Sequence, residues 1–170
     1  MQNGNTPEID WEAVYWELLP RLFNFFRYRT GDDQTAQDLT STTMMRAWRS
    51  RERYNSEIGK FQAWVFSIAR HVAVDHFRKS RPTVPLDAVY DLASDFSVEQ
   101  EVQKQRDFAR LYAKLTQLPE REQELIALKY GAGMTNREVA ATTGLTESNV
   151  GTLLHRTIKK LRAEWELSYE

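Results

Sequence analysis

The chain has no cysteine among its 170 residues, which excludes a disulfide framework and any thiolate metal site. Glycine and proline are scarce, at seven and five residues, so the turn signals that a succession of short strands requires are largely missing. No apolar run approaches the roughly 20 residues of a membrane span, and no membrane insertion is expected. The first residues, MQNGNTPEID, lack the basic-then-apolar order of a signal peptide; the expected location is the cytoplasm. There is no glycine-rich loop to cradle a phosphate and no nucleophile elbow. A positive excess is also lacking, since the formal net charge is −1. Phosphate contacts supply most non-specific DNA affinity, so any basic nucleic-acid surface here must be segregated, or completed by a partner.

What is present is helical periodicity, most legibly in TNREVAATTGLTESNVGTLLHRTIKKL, residues 135–161. Thr135 with Glu138 has the spacing of a capping box, and Thr146 can cap a second helix. Ala140 allows close helix approach, Gly144 suits a turn with positive φ, and Val150 seats the second helix on the first. This small–Gly–branched spacing is that of a DNA-binding helix-turn-helix. Val150, Leu153, Leu154, Thr157, Ile158 and Leu161 form one apolar stripe, while Ser148, Thr152, His155, Arg156 and Lys159 lie on a polar, basic face fit for a major groove. An ordinary helical hairpin would share the periodicity; the turn, the spacing and the basic face together favour DNA binding.

Charge is segregated upstream as well. From Ile9 to Asp38 acids outnumber bases, whereas from Met44 to Arg81 nine Lys and Arg residues face only Glu52, Glu57 and Asp75. Aromatics are interleaved there, an arrangement suited to single-stranded nucleic acid. Phe61 and Trp64 join Val65, Ile68 and Val72 on one stripe and read as core; Tyr54 stands apart, at a helix end beside a loop. The pattern predicts helices over about 7–29, broken or kinked at Pro20, 34–51 and 61–81, with 54–60 a loop. Pro82 and Pro85 end this unit, and residues 83–103 carry five acids and no base. That stretch is either a solvated spacer or a tether able to occupy a basic channel. Further helices are predicted over about 98–117 and from Pro119 to about Tyr130, with Gly131 and Gly133 loosening the chain. The expected fold is all-α, two small helical domains (1–81 and 106–170) joined by a flexible acidic linker (82–105).

One constellation hints at hydrolytic or metal chemistry: His71 and Asp75 lie one turn apart, with His76 adjacent. His76 is rotated about 100° from Asp75, no further His or Cys completes a shell, and no glutamate base lies between the histidines. No metal or catalytic residue is therefore assigned, no cofactor is expected, and the chain reads as a non-enzyme.

Three segments, PRLFNFFRYRTGDDQTAQDLTSTTMMRAW, FQAWVFSIARHVAVDHFRK and LPEREQELIALKYGAGMTNREVAATTGLTESNVGTLLHRTIKKLR, occur in the order and spacing of the small two-domain extracytoplasmic-function (ECF) sigma factors of bacterial RNA polymerase. The chain resembles that family over nearly its whole length. The resemblance implies a sigma factor whose residues 36–48 dock on the clamp helices of the largest polymerase subunit, through Asp38, Leu39, Thr42, Met45, Arg46 and Trp48. It implies that Tyr54, Asn55, Ser56, Lys60 and Phe61 meet a flipped base of the minus-ten element. Ser148, Asn149, Thr152, His155, Arg156 and Lys159 would face the minus-thirty-five element, with the first helices of that domain on the flap of the other large subunit. An anti-sigma factor is an expected partner. Two departures stand out. Gly151, Leu153 and Ile158 fall where relatives often carry Lys or Arg, which implies weaker phosphate anchoring or a different target. Ser67 and Ile68 fall near a tryptophan pair of housekeeping sigma factors, which implies melting that depends on a well-matched promoter. A stand-alone duplex-binding regulator and a small hydrolase are the competing readings; the first would bind duplex DNA without polymerase, usually as a dimer.

Overall fold

The computed structural model describes residues 9–80 and 98–167. Among these the chain is helical, with seven α-helices: α1 (Trp11–Thr30), α2 (Asp33–Arg49), α3 (Phe61–Lys79), α4 (Val98–Leu115), α5 (Glu120–Ile126), α6 (Asn136–Thr143) and α7 (Glu147–Glu166). Each of the first two begins at an aspartate. The Asp10 carboxylate accepts from the Ala13 N–H at 3.1 Å, and that of Asp32 from the Thr35 N–H at 2.8 Å, so each satisfies an N–H that the helix itself leaves unpaired. Gly31 ends α1 in the left-handed region at φ 69°. It is also pressed against the Tyr112 ring of α4, which a Cβ at this position would overlap.

Pro20 does not break α1, which runs unbroken from Trp11 to Thr30. The residue is exposed, so the carbonyl that loses its hydrogen bond to the missing proline N–H can turn to water. The expected start at residue 7 lies outside the described residues, and the helix begins at Trp11. α2 ends at Arg49 and gives way to a 3-10 turn over Arg51–Arg53. α1, α2 and α3 enclose a core of Leu22, Phe25, Phe26, Ala36, Ala47, Val65, Phe66 and Ala69, all inaccessible to solvent. Thr40 and Thr43 are buried with them, their hydroxyls satisfied by the carbonyls one turn back, Ala36 at 2.7 Å and Leu39 at 2.8 Å.

α4 starts at Val98, where the helix over about 98–117 is expected, so the last residues of the 82–105 stretch are helical; residues 81–97 lie outside the described residues. Gly131 is not a loosening element. α5 continues into a π-helical turn over Ala127–Gly131, closed by the Ala132 N–H on the Ala127 carbonyl at 2.9 Å. Gly131 then sits against α1, where a Cβ would come within 2.9 Å of the Asn24 carbonyl oxygen. The absence of a side chain allows two backbones to touch, so the C-terminal unit packs directly on the N-terminal one.

Candidate nucleic-acid interface and docking surfaces

The helix-turn-helix forms as its residues dictate. Thr135 and Glu138 make both bonds of the capping box, Gly144 takes φ 75° between α6 and α7, and Val150 is fully buried. The Thr146 hydroxyl accepts from the Asn149 N–H at 3.2 Å and caps α7. Leu154, Thr157 and Leu161 are buried, with Leu153 and Ile158 packed against them. Ser148, Asn149, Thr152, His155, Arg156 and Lys159 are all exposed, as a groove-reading helix requires.

The Glu138 carboxylate accepts from the Thr135 N–H at 2.8 Å and from its hydroxyl at 3.0 Å. Chiefly through the backbone N–H, this lowers its pKa from the ordinary 4.5. A group whose folded pKa is depressed stabilises the fold above its ordinary value and loses that contribution as pH falls through the folded one. Glu138→Gln should therefore lower the urea midpoint at pH 7, by about 0.5–1 kcal/mol of stability. The gap from wild type should close as pH falls below 4.5; a gap equally wide at pH 3 would show that the charge is irrelevant.

The second surface is the loop between α2 and α3. Its base is aromatic: Tyr54 lies edge-on to Phe61 at 5.0 Å and beside Trp64 at 5.5 Å, and Phe61 and Trp64 are 5.4 Å apart. All three rings are half-buried, so Phe61 and Trp64 pack on the core while keeping an accessible edge. The Tyr54 hydroxyl donates to the Gly59 carbonyl at 3.1 Å and closes the loop. Asn55 Oδ1 accepts from the Glu57 N–H at 2.9 Å, an Asx turn; its side-chain carbonyl thus shapes the loop and its amide remains to donate. Ser56 and Lys60 are exposed, as is Ile58 at 86%.

The third surface is the outer side of α2. Met45 and Trp48 are 47% and 49% exposed, next to exposed Asp38 and half-buried Leu39 and Thr42. With Trp11, Glu12, Tyr15, Trp16 and Met44 they line an open groove of about 590 Å³ between α1 and α2. The α1 residues of this groove carry their own signal in the sequence, three aromatics at helical spacing, Trp11, Tyr15 and Trp16, which was not assigned to any surface above. Arg46, exposed on the same helix, bonds Asp75 on α3 at 3.1 Å. Asp75 also pairs with Arg78 at 3.1 Å, and the Arg46 hydrogen bond foremost lowers its pKa. His71 Nδ1 lies 2.7 Å from the Ser67 carbonyl oxygen. Asp75 thus serves as a clasp between α2 and α3, and the two residues of the supposed metal pair each have another partner.

A seam between the N-terminal and C-terminal units was not foreseen. Arg70 grips Glu124 with two bonds, at 2.6 and 3.2 Å, and donates to the Thr142 carbonyl at 2.7 Å. Arg21 donates to the Ala132 carbonyl at 2.8 Å. Arg29 is buried, 3.6 Å from the exposed Glu120 carboxylate and 5.0 Å over the Phe77 ring. Burial lowers its pKa against the pull of Glu124 and Glu120, yet a guanidinium stays charged at neutral pH.

Residues 14–83 match the model of sigma-70 region 2 and residues 108–161 that of sigma-70 region 4. The ECF RNA polymerase sigma factor SigX of Bacillus subtilis is 30% identical over 171 residues, covering 96% of this chain and 87% of that protein. ECF RNA polymerase sigma factor BldN of Streptomyces coelicolor is 29% identical over 87% of this chain, which spans 57% of BldN's length. Among solved structures, CnrH in complex with the cytosolic domain of CnrY matches with a TM-score of 0.70 at 20% identity, over 92% of this chain and 88% of that one. RpoE in complex with the anti-sigma factor NepR from Bartonella quintana also gives 0.70, at 21% identity over 92% and 97%. These two likenesses establish the fold. No helix among the described residues is long and apolar enough to cross a membrane.

Proposed function

This chain belongs to the sigma-70 family, in its ECF group, and from that premise we propose how its surfaces direct core RNA polymerase to promoters. The outer face of α2, with Asp38, Leu39, Thr42, Met45 and Trp48, docks on the clamp helices of the largest subunit as a helix laid on a helix. Arg46 supports that face by tying α2 to α3. Tyr54, Asn55, Ser56, Lys60 and Phe61 receive an unstacked base of the minus-ten element, which offsets the few kcal/mol that extruding a base costs. Ser148, Asn149, Thr152, His155, Arg156 and Lys159 read the minus-thirty-five element, while the helices before them rest on the polymerase flap. The domains are 1–81 and 106–170, with the acidic linker between them. The chain works in the cytoplasm, makes and breaks no bond itself, and is held in check by an anti-sigma factor of the kind bound to RpoE in its solved complex.

The observation that carries this reading is the pairing of an exposed apolar face, Met45 and Trp48, with a helix-turn-helix in a chain of net charge −1. Such a chain lacks the phosphate-neutralising charge for tight DNA binding alone and offers a protein-binding surface instead. The packed form also requires a partner. The two promoter elements, about 25 base pairs apart, are separated by about 85 Å of B-DNA at 3.4 Å per step, whereas a compact chain of this length is about 40 Å across. The seam must open before both elements are held.

An equimolar mixture with core polymerase should co-elute on gel filtration, and only that complex should protect promoter DNA from nuclease. Protection by the free chain as a dimer on a two-fold site would favour the stand-alone regulator.

A further inference from the structure

An aromatic ladder links the α2 docking face to the loop that follows it. The Trp48 ring, half exposed on α2, meets Trp11 edge-on at 5.1 Å, and Trp11 meets Phe61 edge-on at 5.3 Å. Phe61 in turn meets Tyr54 at 5.0 Å, whose hydroxyl closes the loop on the Gly59 carbonyl. Arg51, at the exit of α2, stacks over the outer side of Trp48 at 4.2 Å. Trp11 stands in the first turn of α1, fixed by the Asp10 cap, and its ring joins Trp48 to Phe61. Perpendicular aromatic pairs have a preferred geometry rather than a sliding contact, so a shift of one ring is passed to the next.

We infer that Trp11 is a positioning residue: it transmits the seating of Trp48 on polymerase to Phe61 and Tyr54, and so sets the base-receiving loop in its working geometry. The inference rests on the roles proposed above for α2 and the loop. It adds that docking and base capture are coupled through this ring and not only through a shared scaffold. Phe61 then has two duties, as wall of the core and as the last relay before the loop.

The test uses full-length protein assembled with saturating core polymerase on a promoter carrying 2-aminopurine at a non-template position of the downstream element. Saturation removes any change in docking affinity from the readout. Trp11→Leu keeps apolar bulk but removes the ring; Trp11→Phe keeps a ring. The saturated Trp11→Leu complex should show a fluorescence rise about tenfold slower than wild type, and Trp11→Phe should recover most of the rate. A Trp11→Leu complex opening DNA at the wild-type rate would overturn the inference. So would Trp11→Phe being as slow as Trp11→Leu, since a merely space-filling role would not distinguish ring from chain in that way. No fluorescence rise with the wild-type complex would instead overturn the loop assignment itself, and the inference with it.

Discussion

Replacing Met45 and Trp48 together by glutamate should weaken binding to core polymerase about a thousandfold. Central apolar anchors of a protein interface are commonly worth about 2 kcal/mol each or more, and about 4 kcal/mol corresponds to roughly three orders of magnitude in Kd. Both side chains are about half exposed in the free protein. Folding stability should accordingly fall by no more than about 1–2 kcal/mol, most of it from the lost edge contact of Trp48 with Trp11. Anisotropy titration of labelled protein with core, next to urea melts of both forms, separates the two effects. A double variant that binds core within threefold of wild type would place the docking surface elsewhere. The parallel change Arg46→Ala should act in the opposite proportion, since its partner is Asp75 on α3.

The second large effect concerns the seam. Glu124→Arg sets two guanidinium groups against each other where Arg70 now makes its paired bonds, at side-chain exposures of only 26% and 17%. Juxtaposing like charges in such a place costs several kcal/mol. About 3 kcal/mol would move the closed–open balance more than a hundredfold toward open. The chain has no native cysteine, so Glu57→Cys and Arg162→Cys, both exposed positions, can carry a donor–acceptor dye pair without other labelling. Energy transfer in the free protein should drop in Glu124→Arg and return in the charge-swapped Arg70→Glu, Glu124→Arg form. If transfer is unchanged by Glu124→Arg, the ion pair does not hold the units together. The open variant should also associate faster with core, because the work of separating the units has already been done.

Local features were legible in the sequence where a short stretch of chain settles its own structure. The capping box at Thr135 and Glu138, the left-handed Gly144 and the stripe from Val150 to Leu161 depend on neighbours within a few residues, and all formed as read. Of the two outcomes expected at Pro20, the helix does not take the break, because the cost of proline depends on whether its orphaned carbonyl meets water, which position in the sequence does not reveal. Gly131 was misread for a related reason. A glycine needed for backbone contact with Asn24 looks, in sequence, like one needed for a turn. The arginine seam was invisible because periodicity reports which face of a helix is covered and not by what. Arg70 and Glu124 are 54 residues apart, and nothing local marks either as the other's partner. Arg46 and Asp75 illustrate the same limit at the proposed docking surface, where the partner of Arg46 lies 29 residues further along the chain, on α3.

The most direct test is run-off transcription by purified core polymerase, with and without this chain, on a pool of promoter fragments. Transcripts should begin at defined starts only when the chain is present, and should disappear when either the upstream or the downstream element is scrambled. Equal transcript patterns with and without the chain would contradict the sigma-factor reading, however firmly α7 binds double-stranded DNA.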